Sequence, residues 1–267
     1  MTNDSRAEPA SGDRAELLYG YHPVRELLRR RPGTVERVLV SGRRRGKRRA
    51  EIEALCRRHR IAVREVSDEQ LGELVGAETH NGFAAAVRAP AAGAPAAGDP
   101  AAGEDGSGDP DLRVLVEDVQ DPRNLGALLR VCEAAGVGGV LVRDRGSAPL
   151  SPAVARTSAG ASEWLAIERI TNSARVIDEL KAAGFWVYGA VAEGDPPWEV
   201  DLTGKVLFCL GGEEKGLRLR TRKLCDRLVG LPMRGRVESL NLATAAAALL
   251  YEAIRQRQPL HGRRERG

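Results

Sequence analysis

Residues 228–255 read LVGLPMRGRVESLNLATAAAALLYEAIR, and the fold is decided here. The stretch opens as a short apolar strand, Leu228 to Leu231. Pro232 has no N–H to give a ladder, so pairing is expected to stop there. A polar loop runs from Met233 to Glu238. Ser239-Leu240-Asn241 follows, and Ser and Asn favour helix starts because their side chains accept from free backbone N–H groups. Apolar residues then recur at helical spacing: Leu242, Ala246, Leu249, Leu250, Ala253 and Ile254. Taken alone, the pattern is a strand, a turn and a buried helix.

Upstream, the same alternation repeats from Leu112 onward. Strands are expected at Leu112–Val116, Val140–Val142, Phe185–Val191 and Val206–Leu210. Helices are expected at Asn124–Ala135, Pro152–Ala159 and Ser173–Ala183. Alternation of this kind predicts an α/β domain over 112–258, with a parallel sheet covered on both faces. Ligands in such sheets sit outside the carboxyl ends of the strands. Residues 89–111, APAAGAPAAGDPAAGEDGSGDPD, are Ala, Pro, Gly and acids, and read as a flexible linker. Ahead of it, residues 16–88 suit a small α/β domain. Its expected helices are a turn-led one around Val24, Leu27 and Leu28, Ala50–His59 and Asp68–Val75, and its expected strands Val35–Val40, Ile61–Val66 and Phe83–Val87. Residues 1–15 read as a disordered polar tail and 259–267 as a loose basic one.

A chain of 267 residues with 42% hydrophobic content has room for two globular cores. No apolar run approaches a membrane span, and the polar N-terminus is unlike a secretory signal. Cys56, Cys132, Cys209 and Cys225 are scattered, as reduced core thiols of a cytoplasmic protein would be. The four histidines lack metal-ligand spacing, so no metal site is expected. The net charge of +4 is unevenly placed: residues 25–64 hold 15 Lys/Arg against four Asp/Glu. Arg43, Arg44, Arg45, Lys47, Arg48 and Arg49 form one cluster there. Such a block attracts phosphates without sequence preference and is expected to bind RNA; otherwise it is a solvated loop.

Two further stretches carry chemistry. Asp118-Val119-Gln120-Asp121-Pro122-Arg123-Asn124 follows a strand and opens a helix that reaches Arg130. A helix start of this kind offers free N–H groups to an anion, although a cap and a surface arginine would look the same. Gly211-Gly212-Glu213-Glu214-Lys215-Gly216-Leu217 follows another strand, where glycine permits close backbone approach or simply a tight turn. Gly136-Val137-Gly138-Gly139 comes after a helix and before a strand, the reverse of a dinucleotide loop, and reads as a helix stop.

In order, these stretches resemble the three motifs of the SpoU (TrmH-like) class of the SPOUT superfamily, RNA ribose 2′-O-methyltransferases that use S-adenosylmethionine. Asp118, Pro122, Asn124, Gly126 and Arg130 match the first. Gly211, Glu213, Gly216 and Leu217 match the second. Leu231-Pro232-Met233-Arg234-Gly235, Ser239-Leu240-Asn241 and Tyr251-Glu252 match the third. Tyr19-Gly20-Tyr21-His22-Pro23-Val24 and His80-Asn81-Gly82 resemble, more loosely, the substrate-binding domain that precedes the catalytic one in that class. The resemblance implies a SPOUT domain with a deep trefoil knot, a homodimer, and Arg130 as the leading catalytic residue. It further implies cofactor contacts at Gly211, Leu231, Leu240 and the adjacent Met233. Glu213 would organise its loop, and Ser239 and Asn241 would help to place the ribose, unless Ser239 only caps the helix. Arginine normally only donates, so either an aided base role or stabilisation of an incipient alkoxide is open. The layout is most similar to enzymes methylating a guanosine ribose in 23S rRNA. A tRNA ribose methyltransferase and a non-catalytic RNA-binding assembly protein are the alternatives.

Overall fold

A computed structural model describes residues 16–77, 79–88 and 109–258. The chain separates into two compact units. The expected tails at 1–15 and 259–267, and residues 89–108 of the expected linker, lie outside the described residues.

The first unit runs β1 (Glu16–Tyr19), α1 (Tyr21–Arg30), β2 (Val35–Ser41), α2 (Lys47–Arg58), β3 (Ala62–Val66), α3 (Asp68–Val75) and β4 (Phe83–Val87). Its sheet has the order β1-β4-β2-β3, antiparallel except for the β2–β3 pair. Val24, Leu27 and Leu28 of α1 are buried, as their spacing predicts, and so are Ile52 and Cys56 of α2. Ser67 and Gln70 form a reciprocal capping box at the start of α3, and Gly76 ends it in the left-handed conformation. Leu71 of α3 packs on Leu39 and Ala84 of the sheet. Strand β1 was not expected: four residues are too few for alternation to show.

The second unit runs β5 (Asp109–Glu117), α4 (Pro122–Ala134), β6 (Val137–Arg143), α5 (Pro152–Thr157), β7 (Ile167–Ile170), α6 (Ser173–Ala182), β8 (Trp186–Asp195), β9 (Val206–Gly211), α7 (Leu219–Leu224), β10 (Arg227–Val229) and α8 (Leu242–Arg257). All six strands are parallel, in the order β10-β8-β9-β5-β6-β7. Alternation along the strands feeds both faces. Leu112, Val114 and Val116 meet Leu125, Leu128 and Leu129 of α4 and Leu249 and Leu250 of α8. Leu115, Leu207 and Cys209 point the other way, toward Ile177 and Leu180 of α6. Burying each such leucine contributes about 1.5–3 kcal/mol, which is why the sheet is covered twice.

Several boundaries differ from expectation. Strand β5 starts at Asp109, inside the stretch read as linker, because Asp109 already bridges to Val137 across an irregular register. Strand β10 ends at Val229, before Leu231 and well before Pro232 could act. There the chain passes against the end of β8: a Cβ on Gly230 would lie 2.6 Å from the Gly194 nitrogen, and one on Gly194 2.3 Å from the Val229 carbonyl carbon. Two glycines facing each other allow two backbones to touch, and the ladder breaks at that crossing.

Candidate active site

The chemistry-bearing stretches converge at the carboxyl ends of β5, β9 and β10. Asp121 caps α4, accepting from the Arg123 N–H at 2.8 Å, and Pro122 occupies the first turn, where its missing N–H costs nothing. This start fixes Asn124 in the first turn. Glu213 stands in the turn after β9, which is closed by a Gly216 N–H to Gly212 carbonyl bond of 2.8 Å. Asn241 caps α8, its Oδ1 accepting from the Ala243 N–H at 2.9 Å. The three side chains meet. Asn124 Nδ2 donates to Glu213 Oε1 at 2.6 Å. Asn241 Nδ2 is 3.2 Å from the same oxygen and 3.2 Å from Asn124 Oδ1. Asn124 and Asn241, 117 positions apart, thus share one carboxylate.

Beside this network lies a cavity of about 600 Å³. Of the expected cofactor contacts, Gly211, Leu231, Met233 and Leu240 all line it, as do Glu213, Ser239 and Asn241. Arg130 does not; it is exposed on α4. Six residues beyond Asn124, it sits about 9 Å along the helix and about 120° around it. Lys215, Arg222 and Glu238 also line the cavity and were not singled out from sequence. Only their position beside the matched motifs could have flagged them. A second concavity, about 450 Å³, opens at the starts of β8, β9 and β10 among Trp186, Val206 and Arg227. None of the matched residues reaches it, and parallel sheets bind ligands at the other end.

The turn after β9 is anchored from β5. Asp118, with φ +56°, is one of four non-glycine residues with positive φ among those described. Its carboxylate accepts from Arg218 Nε at 2.6 Å and Nη2 at 2.9 Å, and from Arg143 Nη1 at 3.3 Å. The Arg218 guanidinium holds the Asp118 carboxyl below its ordinary range.

In the first unit, the basic cluster is not one loop. Arg43, Arg44 and Arg45 lie in the turn, whereas Lys47, Arg48 and Arg49 open α2. Arg49 is held by Glu53 and Glu65, each at 2.7 Å, and Arg43 pairs with Glu69 at 3.1 Å. The Arg48 guanidinium lies over the Tyr21 ring, 5.0 Å from its centroid. Arg45 and Lys47 are exposed. Among the described residues no group of three or more His, Cys, Asp or Glu could hold a metal, and no helix is long and apolar enough to cross a membrane.

Residues 111–251 match the SpoU rRNA Methylase family, and residues 17–92 match the RNA 2′-O ribose methyltransferase substrate binding family. The chain belongs to the SpoU rRNA methylase family. A 23S rRNA (guanosine-2′-O-)-methyltransferase of Xanthomonas axonopodis pv. citri, RlmB, is 38% identical over 243 residues, covering 91% of this chain and 97% of that one. The SpoU methyltransferase AviRb of Streptomyces viridochromogenes, solved with its cofactor AdoMet, superposes with a TM-score of 0.71 at 28% identity, covering 90% of each chain. A solved RNA 2′-O ribose methyltransferase gives 0.74 at 29% identity, covering 90% of this chain and 88% of that one. Within the SpoU family frame, the meeting of Asn124, Glu213 and Asn241 is a junction of all three motifs.

Proposed function

We propose that this protein methylates the ribose 2′-hydroxyl of a guanosine in 23S rRNA, with S-adenosylmethionine as donor. The observation that carries this is the Asn124–Glu213–Asn241 network at the rim of the 600 Å³ cavity. The cavity's residues suit the donor. Its size falls within the range of small-molecule sites. Leu210, Leu231 and Leu240 offer an apolar slot beside the backbone of the Gly211–Leu217 turn, which suits an adenine. Glu213 and Glu238 suit a sulfonium, and Lys215 and Arg222 suit a carboxylate. When bound, S-adenosylmethionine supplies an activated methyl group for in-line attack by the hydroxyl.

The chain's residues have the rest to do. Glu213, held by two amide donors, keeps Asn124 and Asn241 at the rim, and Ser239 and Asn241 position the ribose. Arg130 stabilises negative charge growing on the 2′-oxygen, worth about 3–4 kcal/mol for one well-aimed donor in a site closed to water. A phosphate of the RNA or a deprotonated Arg130 takes the proton. Because Arg130 does not line the cavity of its own chain, a homodimer belongs to this proposal: a second copy is what can bring that guanidinium to the ribose. The trefoil knot belongs to it too, as the fold that the family resemblance implies. Residues 16–88 grip the RNA, residues 109–258 form the methyltransferase domain, and the enzyme works in the cytoplasm.

Methyl transfer from labelled S-adenosylmethionine to 23S rRNA and to tRNA, followed by mapping of the modified ribose, tests the proposal. The expected product is one 2′-O-methylguanosine in 23S rRNA, abolished in Arg130→Ala while cofactor affinity persists. Methylation of tRNA alone, or binding without transfer by the unaltered protein, would favour the rival enzymes or a non-catalytic binder.

A further inference from the structure

Asp118 touches three loops at once. Its carboxylate takes the two Arg218 donors and the Arg143 donor. A Cβ on Gly146 would lie 2.2 Å from its Oδ1, and a Cβ on Gly212 would lie 2.1 Å from its carbonyl oxygen. So the backbone of Asp118 presses on Gly212, where the cavity-lining turn begins, and its side chain holds Arg218, just after that turn ends at Leu217. The Asp118 side chain is only 9% exposed against 44% for Arg218, so the bridge is anchored from inside. A non-glycine residue at φ +56° is strained, of order 1 kcal/mol, and glycine would hold the same backbone without that cost. A carboxylate kept at such a position must come with compensating contacts, and the contacts are these.

We propose that Asp118 is a positioning residue for the cofactor: it clamps the Gly211–Leu217 turn at both ends, through the backbone at Gly212 and through Arg218, and so presets the wall of the cavity. The inference rests on the assignment of that cavity to S-adenosylmethionine. Setting a loop before binding raises affinity by removing an ordering cost. Charge-assisted, bidentate Arg–carboxylate pairs are the ones strong enough to do it. Arg143 secures the carboxylate from the β6 side, so Arg218 is the partner whose loss frees the turn.

The test compares the full-length protein with Asp118→Gly, Arg218→Ala and the double variant, measuring S-adenosylmethionine binding by calorimetry, thermal midpoint, and hydrogen exchange at 211–217. Asp118→Gly relieves the backbone, which offsets part of the loss of the Arg218 and Arg143 pairs, so its midpoint should fall only slightly. Its cofactor affinity should nonetheless fall about tenfold, the effect of losing one charge-assisted pair. Arg218→Ala should fall by a similar factor, the double variant no further than either, and exchange in the turn should quicken in all three. In turnover, KM for the cofactor should rise more than kcat falls. Affinities within twofold of the unaltered protein, additive losses in the double variant, or a defect confined to kcat would overturn the clamp. Failure of the unaltered protein to bind S-adenosylmethionine would instead sink the assignment of the cavity.

Discussion

Gly211→Ala puts a single methyl group where three backbone atoms stand. The new Cβ would lie 2.0 Å from the Gly216 carbonyl carbon, 2.1 Å from its oxygen and 2.2 Å from the Leu217 nitrogen. Carbon atoms pack at about 3.5–4.0 Å, so the turn must retreat by at least roughly 1 Å. No rotamer can relieve the clash, because every atom involved is main chain. Overpacking of this kind costs about 1–3 kcal/mol. In a unit of this size that lowers the thermal midpoint by about 2–4 °C per kcal/mol. The same retreat carries away the backbone groups proposed to face the adenine. Losing one or two of their bonds is worth about 1–3 kcal/mol, or about 5- to 150-fold in affinity. Gly235→Ala is the internal control: it lies in the third motif, yet nothing stands within 4 Å of its Cβ. Calorimetric titration with S-adenosylmethionine alongside thermal melts reads both effects. Full affinity and an unchanged midpoint in Gly211→Ala would refute the close-packed turn, and equal losses in Gly235→Ala would refute its specificity.

Asn241→Ala should cost about 1 kcal/mol of stability through the lost cap of α8, whereas Asn241→Ser keeps a cap and loses the amide donor to Glu213. Methyl transfer should therefore fall in both, with the melting point falling mainly in the alanine variant. In the basic cluster, Arg45→Gln with Lys47→Gln should weaken RNA binding and flatten its salt dependence by up to about two ions, read from binding isotherms across salt. Arg49→Gln should instead destabilise the first unit, because it breaks the pairs with Glu53 and Glu65; unchanged stability there would return Arg49 to the RNA-facing set. Among the thiols, a hydrogen bond from Cys209 pulls the Cys225 pKa down, while burial pushes Cys132 up to about 12. Iodoacetamide at mildly alkaline pH should label half-buried Cys225 first and leave Cys132 untouched in the folded protein, as mass spectrometry of digests can show.

What sequence made legible was whatever a local pattern could carry. The apolar runs of β5, β6, β8 and β9 and the spacing of Leu125, Leu128 and Leu129 marked out a parallel sheet with helices on both sides. Some short elements escaped: β7 has four residues and α7 six, and neither carries a marker like Pro152, which opens the equally short α5. Pairs set by sheet order escaped for a different reason. Nothing near Asp118 announces Arg218, 100 residues on, because their meeting needs β9 to lie beside β5. Likewise the early end of β10 depends on Gly194 crossing Gly230, which no window of sequence contains. The site residues were reached through the order of three motifs, where helix capping and a role in the site stood as competing accounts of Asn241. The two accounts do not exclude each other, because the side chain has two ends. Its carbonyl oxygen accepts from Ala243 and starts α8, and its amide nitrogen reaches Glu213 and Asn124. Because the cap fixes the oxygen, it also fixes where the amide points, so the start of the helix is itself what aims the donor at the rim of the cavity.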